Sequence, residues 1–229
     1  TWTLVKIVMS AIATPVFART LGAEGYGQYA YYLAVMMLAA PIANLGTSQS
    51  ITKFVAEQPD NRGLHSTIAL FAGRMNLLAT ITVCGLLLAF LMIGPQPRHS
   101  PLIIAIIIVA SIALEQVWYF GKGILYGLHR EELATLPATL GAVIAPILGI
   151  ALAMMGWGLF GVMLGVLAAN LASALLTIFY VNRFVDWRKT DSIPASNDNV
   201  LWFGVHSMLF AALSMALYKT DIILVRTLA

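Results

Sequence analysis

The sequence predicts an all-α membrane protein, and three observations support that prediction. Hydrophobic residues make up 60% of the 229 residues and charged residues only 10%, against about 25% in an ordinary soluble domain. The mean hydropathy is +0.86. The apolar runs are continuous and longer than the roughly ten residues of a membrane strand, which favours helices. A soluble enzyme, a nucleic-acid-binding protein and a disordered tail are excluded, because a water-soluble exterior needs far more polar surface.

Seven apolar runs are each long enough to cross a bilayer, which takes about 20 residues. Turn-forming segments rich in glycine separate several of them, such as residues 22–27 and 156–158. Three of the runs contain prolines, four in all, which we interpret as packing irregularities or hinges. The predicted spans are 3–19, 27–51, 66–93, 102–120, 133–155, 159–181 and 200–225.

The longest polar stretch divides the chain into two unequal parts. Residues 1–182 are predicted to form a first bundle of six transmembrane helices. Residues 183–199 read as a cytoplasmic linker, and residues 200–229 as the first helix of a second, truncated bundle. Neither end of the sequence carries a polar tail, so we expect a fragment of a longer protein.

The distribution of lysine and arginine predicts the orientation in the membrane. The connectors after spans two, four and six hold seven of these residues, whereas the connectors on the other side hold Arg19 and Arg98. Basic loops stay in the cytoplasm, so the N-terminus is predicted to be cytoplasmic. The seven residues are Lys53, Arg62, Lys122, Arg130, Arg183, Arg188 and Lys189.

Five charged residues fall within the predicted spans, where each charge at mid-bilayer costs about 2.5–3.5 kcal/mol. They are therefore expected to line a wet cavity, to pair with one another or to snorkel to the surface. For Glu115 a local arrangement with Lys122 is an alternative, since both lie on one helix face with Trp118 and Tyr119. The five are Lys6, Arg74, Glu115, Lys219 and Asp221.

The excess of cations over acids inside the spans favours an anionic cargo such as a lipid-linked diphosphate. We predict that Lys6, Arg74 and Lys219 bind this headgroup, and that Glu115 and Asp221 serve as coupling or pairing acids. A coupling ion, H⁺ or Na⁺, stays open. Five polar residues either line the same space or make interhelical hydrogen bonds. They are Asn44, Gln49, Asn76, Gln116 and Asn170.

The sequence contains no pattern typical of a soluble enzyme. The glycines of residues 156–161 match a dinucleotide-binding fingerprint, but they follow an apolar helix and not a strand. Cys84 is the single cysteine, and the four histidines are scattered without metal-ligand spacing. We therefore expect no catalytic residues, no metal, no cofactor and no nucleic-acid partner, and we predict that the protein is not an enzyme.

Two segments near the start resemble the polysaccharide-biosynthesis flippases. They are Phe17-Ala-Arg-Thr-Leu-Gly-Ala-Glu-Gly-Tyr-Gly-Gln-Tyr-Ala30 and Ala43-Asn-Leu-Gly-Thr-Ser-Gln-Ser-Ile-Thr-Lys-Phe-Val-Ala-Glu57. The family comprises the O-antigen and exopolysaccharide (Wzx-type) translocases of the multidrug/oligosaccharidyl-lipid/polysaccharide exporter superfamily. Residues 123–130 and 219–224 resemble the same family. Arg-Thr-Leu at 19–21 recurs at 226–228, at the end of the first helix of each predicted half.

The resemblance implies two bundles of six helices around a central cavity, of which this chain is the N-terminal lobe plus one helix. It implies a flippase that moves a polyprenyl-diphosphate-linked oligosaccharide across the bacterial inner membrane by alternating access, for lipopolysaccharide or exopolysaccharide synthesis. The implied partners are the lipid-linked oligosaccharide, membrane lipids and other polysaccharide-assembly proteins. The alternatives are a cation-coupled multidrug exporter of the same superfamily and, from another class, an intramembrane glycan polymerase, which the short outer loops disfavour.

Overall fold

The computed structural model describes residues 2–57, 62–93, 101–185, 187, 202–211 and 213–214, and these are almost entirely helical without strands. One π-helical turn, Ala153–Trp157, joins α5 to α6. The helices are α1 (Trp2–Asn44), α2 (Thr47–Ala56), α3 (Arg62–Ile93), α4 (Pro101–Gly127), α5 (Glu131–Leu152), α6 (Gly158–Phe184) and α7 (Trp202–Ala211).

Three helical stretches of the described residues are long and apolar enough to cross a membrane. They are His65–Met92, Leu102–Gly127 and Glu131–Phe184. A fourth is added when Ile7–Asn44 and Thr47–Ala56, bent by 45°, count as one span. In the first and the last of these four stretches the chain reverses its direction. Each of the two therefore contains two antiparallel helical arms, in agreement with the two spans predicted there.

The first reversal lies at Gly22, where φ is 70° and ψ is 178° inside α1. The rings of Phe17 and Tyr29 are 5.4 Å apart, whereas a straight helix would separate their Cα atoms by about 18 Å. Met9 and Leu33 line one cavity, although straight helix would place them ~36 Å apart. The two arms of α1 therefore fold back on each other, as the spans 3–19 and 27–51 predicted.

The second reversal lies between α5 and α6, at Gly156 (φ 92°) and Gly158 (φ 50°). Positive φ is readily adopted by glycine, which has no Cβ. The hydroxyl of Ser173 donates to the carbonyl of Pro137 at 2.8 Å, although ~54 Å of straight helix would separate the two residues. The stretch Glu131–Phe184 is therefore an antiparallel helix pair, as predicted for spans five and six.

The predicted span 27–51 is not one continuous helix, because it is interrupted near its C-terminal end. Its helix stops at Asn44, and α2 starts again at Thr47 after Leu45 and Gly46, which have φ of 48° and 65°. Positive φ at two successive residues cannot continue a right-handed helix. A side chain at Gly46 would meet the backbone of Gly204 in α7, so the break is also where α7 packs.

The interior of the bundle is apolar, and so is its exterior. One buried cluster joins the second arm of α1 to α3, α4 and α6, and another joins α2 to α3, α4 and the end of α6. Exposed large apolar side chains cover the outside, among them Leu78, Ile81 and Leu86 on α3. Such a surface suits contact with lipid and not with water.

The described residues do not reach every predicted element. The linker 183–199 lies mostly outside them, and span 200–225 is described only at 202–211 and 213–214, where α7 is helical. The predicted division into 1–182, 183–199 and 200–229 stays a prediction.

Candidate functional site

A cavity of about 210 Å³ opens between α4, α5 and α6. Glu115 and Trp118 of α4, Ala138 of α5, and Asn170 and Ser173 of α6 contribute to its wall. A cavity of only about 10–15 Å³ is enough to hold one water molecule. The cavity is therefore large enough for a small ligand or for many waters, and it contains groups that can bind one.

Small residues of α5 make room for the cavity. Ala138, Gly141, Ala142 and Ala145 all line it, and their spacing of three and four residues places them on one helix face. Toward the C-terminal end of α5, helices α5 and α6 are in close contact. A Cβ at Gly165 of α6 would come within 2.6 Å of the backbone nitrogen of Gly149 in α5. The glycine spacing on α6 thus serves helix packing, while the α5 stripe leaves space.

Glu115 lies near the middle of α4, with roughly 20 Å of helix on either side at 1.5 Å per residue. Its side chain is partly buried. Within the described part of the chain it has no hydrogen-bond or ion-pair partner. An unpaired carboxylate at this depth is costly in a membrane, so it requires water or a ligand in the cavity.

Two further polar atoms beside Glu115 lack partners. The indole Nε1 of Trp118 and the Oγ of Ser111 are buried, and neither makes a hydrogen bond with the residues described. Both residues are on α4, one turn to either side of Glu115. A buried donor without an acceptor costs about 1–3 kcal/mol, and such atoms are rare enough in folded proteins to call for an explanation. Their grouping around one carboxylate marks this part of α4.

A second cavity of about 280 Å³ continues along α5 toward the reversal in α1. It shares Ala142, Ala145 and Val166 with the first cavity. Its other wall is the folded α1, with polar groups from Ser10, Thr14, Tyr26 and Tyr29 among its lining. The two cavities together form an interior groove that runs along α5.

Lys122 lies two turns from Glu115 on the same face of α4. Its Nζ is 5.1 Å from the ring centroid of Trp118, 5.9 Å from that of Tyr119 and 5.5 Å from that of Tyr126. These are distances at which a cation is attracted by aromatic rings. The shared face predicted for these residues is confirmed, and it places an aromatic and basic cluster beyond Trp118.

On a different side of α4, a second polar group is hydrogen-bonded to a neighbouring helix. Gln116 is 2% exposed; its Nε2 donates to the carbonyl of Ala40 at 3.1 Å, and its Oε1 accepts from Asn44 at 3.4 Å. Asn76 of α3 donates to Thr47 Oγ1 at 3.1 Å, and Thr47 donates to the carbonyl of Asn44 at 2.7 Å. This paired network fastens α1, α2, α3 and α4 around the helix break.

The five polar residues were expected either to line the cavity or to make interhelical hydrogen bonds, and different members of the set do each. Asn44, Asn76 and Gln116 make interhelical hydrogen bonds in the paired network. Asn170 lines the cavity, and its Nδ2 donates to the Ser111 carbonyl at 3.2 Å. Gln49 is exposed.

The predicted anion-binding residues are not brought together by the described structure. Arg74 is exposed on α3, on a face that it shares with the exposed apolar residues Leu70, Leu77, Leu78 and Ile81. That face does not contribute to the cavity wall. Lys6 is in α1 but its side chain lies outside the described residues, as do Lys219 and Asp221 entirely. The roles of these four and of Glu115 stay predictions.

Sequence reasoning did not assign Trp118 and Ser173 to a cavity wall, and it missed the buried Ser111 one turn from Glu115. Serine is common in membrane helices, and tryptophan near a helix end is expected at the lipid interface. The one usable signal was the spacing of Ser111, Glu115 and Trp118, which places them on one helix face. Within the described residues, no group of three histidine, cysteine, aspartate or glutamate side chains is placed to hold a metal.

The structure is similar to solved transporters at low sequence identity. A MATE transporter in complex with MaL6 matches with a TM-score of 0.71 and 18% identity over 97% of this chain and 53% of its own. An outward-facing multidrug resistance MATE family transporter of the MOP superfamily matches with a TM-score of 0.71 and 19% identity over 95% of this chain and 51% of its own. The chain spans about half the length of these transporters, which fits one lobe of an exporter. A comparison with curated proteins found no match.

The family model described as "Polysaccharide biosynthesis protein" matches residues 1–228. That match covers nearly the whole chain, and the predicted fold class is confirmed by the helical bundle and its structural relatives. The chain is a multi-pass membrane protein that belongs to the polysaccharide biosynthesis protein family and has the fold of the N-terminal half of a MATE-type exporter.

Proposed function

We propose that the protein is a flippase that moves a polyprenyl-diphosphate-linked oligosaccharide across the bacterial inner membrane for O-antigen or exopolysaccharide synthesis. The observation that supports this most strongly is the combination of a polysaccharide-biosynthesis family match with a transporter fold. A headgroup of this kind is polar and must cross an apolar layer, so it needs a polar passage through the helices. The cavity between α4, α5 and α6 supplies polar groups at the required depth.

In this proposal the cationic residues bind the diphosphate. Lysine and arginine replace the water lost from phosphate oxygens, and arginine can do so with two hydrogen bonds at once. Lys6, Arg74 and Lys219 are the proposed anion-binding residues. For Arg74, a guanidinium on an apolar helix face is best explained when that face meets another polar surface, such as a second bundle or the cargo.

Alternating access is the proposed mechanism, with the N-terminus in the cytoplasm and Glu115 or Asp221 as a coupling or pairing acid. A rocking exporter needs a binding region near mid-membrane that opens to either side in turn. The position of Glu115 halfway along α4 supports a role at that depth. The lipid-linked oligosaccharide and other polysaccharide-assembly proteins are the proposed partners.

The test uses Arg74→Ala and Lys219→Ala in the complete protein, expressed in a strain that lacks its own copy. Both variants are expected to reduce surface polysaccharide without reducing the amount of protein in the membrane. Arg74→Lys is the matched control, because it keeps the charge and is expected to retain most of the polysaccharide. Unchanged polysaccharide in both alanine variants would remove the role assigned to these residues.

The second candidate function is a cation-coupled multidrug exporter, favoured by the unpaired Glu115 beside the aromatic ring of Trp118. An acid next to an aromatic face is suited to an organic cation. The two candidates are separated by measuring ethidium efflux and surface polysaccharide in the same deletion strain. The flippase predicts loss of polysaccharide with normal efflux, and the drug exporter predicts the reverse.

A further inference from the structure

We propose that Arg74 binds the phosphate of an anionic phospholipid on the outer, lipid-facing side of α3. The inference goes beyond the proposed function, because it concerns a lipid of the surrounding membrane and a helix face that does not line a cavity. In the proposed function the same guanidinium binds the cargo diphosphate. The phospholipid is therefore its ligand when no cargo is present.

The face of α3 that carries Arg74 is uncovered in the described structure. Arg74 is exposed, and so are Leu70, Leu78 and Ile81 within two turns of it, with exposed fractions of 39%, 61% and 61%. A Cβ at Gly85, three turns further along the same face, would meet nothing within 4 Å. In a membrane such a face contacts lipid.

The side of α3 that packs against the bundle is a different one. A Cβ at Gly73 would come within 3.3 Å of the Phe120 ring in α4. Asn76 donates to Thr47 Oγ1 at the start of α2. Because these contacts turn another face of α3 inward, Arg74 is left on the outside of the bundle.

The described start of the second bundle packs on α2 and the helix break beside it. The ring of Phe203 in α7 is 6.3 Å from that of Phe54 in α2. A Cβ at Gly204 would come within 2.9 Å of the Leu45 carbonyl oxygen. These contacts hold α7 against α2, so membrane lipid is the partner that we assign to the Arg74 face.

The charge of Arg74 has no protein partner within the residues that the structure describes. It makes no hydrogen bond and no ion pair there, and the ion pair that is present joins Lys53 to Glu57 at 4.0 Å. An unpaired charge beside lipid tails is costly, so it has to reach a polar group of the membrane.

The position of Arg74 along α3 lets its charge reach the lipid headgroups. The apolar stretch His65–Met92 has 28 residues, which is about 40 Å of helix against a hydrocarbon core of about 30 Å. When the stretch is centred in the bilayer, the Arg74 backbone lies roughly 8 Å inside the core boundary on the His65 side. A long basic side chain extends toward the surface from such a depth. This leaflet is the cytoplasmic one in the proposed orientation.

Lipid phosphates lie at this boundary, and arginine is suited to bind them. A guanidinium donates two parallel hydrogen bonds to phosphate oxygens, whereas the ammonium of lysine acts as a point charge. In phosphatidylethanolamine the headgroup's own ammonium competes for the phosphate. Phosphatidylglycerol has no such cation, so we expect an anionic lipid to be preferred, by about fivefold for one basic residue near the surface.

The experiment measures the dissociation constants of single phospholipids for the intact protein in detergent by native mass spectrometry. Phosphatidylglycerol is expected to bind about fivefold less tightly to Arg74→Gln than to the parent, and phosphatidylethanolamine equally to both. Arg74→Lys should retain part of the affinity. Leu70→Arg added to Arg74→Gln should restore it, because it returns the charge to the same face one turn nearer the surface.

Arg19→Gln is the matched control. It removes the same charge from an exposed residue near the reversal of α1, toward the other end of the bundle. It should bind phosphatidylglycerol as the parent does. An equal loss of affinity in this control would show an effect of net charge alone and would overturn the site.

The outcomes separate this inference from the proposed function. Equal phosphatidylglycerol affinity of the parent and Arg74→Gln overturns the lipid site and leaves the flippase in place, since the flippase is tested by polysaccharide output. Weaker binding of bare polyprenyl diphosphate to Arg74→Gln, with phosphatidylglycerol unchanged, also overturns it and identifies a cargo residue alone. Weaker binding of both lipids supports it. Should Arg74→Gln fail to insert in the membrane, Leu70→Arg in the parent carries the test: tighter phosphatidylglycerol binding supports the site, and unchanged binding overturns it.

Discussion

Glu115 and Gln116 are consecutive residues of α4, and their side chains meet opposite surroundings inside the bundle. Gln116 is in the paired network, where its amide is hydrogen-bonded to Ala40 and Asn44 across helices. Glu115 faces the cavity with no partner in the described structure. A rotation of about 100° per residue is enough to send neighbours to different sides of a helix.

The difference indicates that the paired network around Gln116 and the cavity around Glu115 have different roles. Satisfied polar groups in a low-dielectric interior hold helices in one arrangement. Unsatisfied ones cost stability and persist where a ligand or water is needed. We therefore expect substitutions in the paired network to change stability, and substitutions in the cavity to change binding with little loss of stability.

The largest stability loss is expected for Gln116→Leu. Leucine fills a similar volume but removes both hydrogen bonds, which leaves the Ala40 carbonyl and the Asn44 amide buried without that partner. Each orphaned group costs about 1–3 kcal/mol, so the two together are expected to cost about 2–6 kcal/mol. Thermal unfolding of the purified protein in detergent should show a lower midpoint. A midpoint equal to that of the parent would show that the network does not hold the helices.

Closing the space between α5 and α6 is expected to have the next largest effect. Gly165→Ala would place a methyl group within 2.6 Å of Gly149 nitrogen and 2.8 Å of Ala145 oxygen, and overpacking of this kind costs about 1–3 kcal/mol. Gly85→Ala on α3 is the matched control, because a Cβ there meets nothing within 4 Å. The thermal midpoint should fall for the first and stay or rise for the second. Equal midpoints would refute the close approach of the two helices.

A smaller loss is expected for Asn170→Ala in the cavity wall. The side chain makes one hydrogen bond to a carbonyl of α4, and a single bond of this type contributes about 0.5–1.5 kcal/mol. Asn44→Ala, in the paired network, removes its bonds to both Gln116 and Ser48 and should cost more. Thermal unfolding of the two variants side by side gives the comparison. A greater loss for Asn170→Ala would reverse the assignment of the two regions.

The smallest stability change among the variants of the two regions is expected for Glu115→Gln. The change replaces an unpaired carboxylate by a neutral amide of the same shape, which lowers the cost of placing that side chain inside the membrane. The thermal midpoint should stay the same or rise, whereas polysaccharide output in cells should fall. A marked drop in the midpoint would show that Glu115 is paired in the membrane.

The helices themselves were predictable from the sequence, because continuous apolar runs and glycine-rich turns are local signals. The reversal at Gly22 and the turn at Gly156 and Gly158 lie where the glycine-rich connectors predicted them. The break at Leu45 and Gly46 was not predictable in this way. Leucine disfavours positive φ, and it is the tertiary network around Asn44 and Thr47 that accompanies the interruption of the helix there.

The candidate site was predictable only in part. Glu115 was identified because a charge in an apolar run is conspicuous. Its cavity depends on which faces of α5 and α6 turn toward α4, and one helix's sequence does not determine this. The different roles of Asn170 and Gln116 show the limit, since both are amides within apolar helices and only tertiary packing decides which one lines a cavity.

The most direct test of the account compares water access at the two neighbouring positions of α4. Glu115→Cys and Gln116→Cys are each made in a Cys84→Ser background, in intact membranes. The two variants are then treated with a cationic methanethiosulfonate reagent, which reacts with thiols that water can reach. The account predicts rapid labelling of the Glu115→Cys variant and protection of the Gln116→Cys variant. Equal labelling of both, or labelling of the Gln116→Cys variant alone, would contradict it.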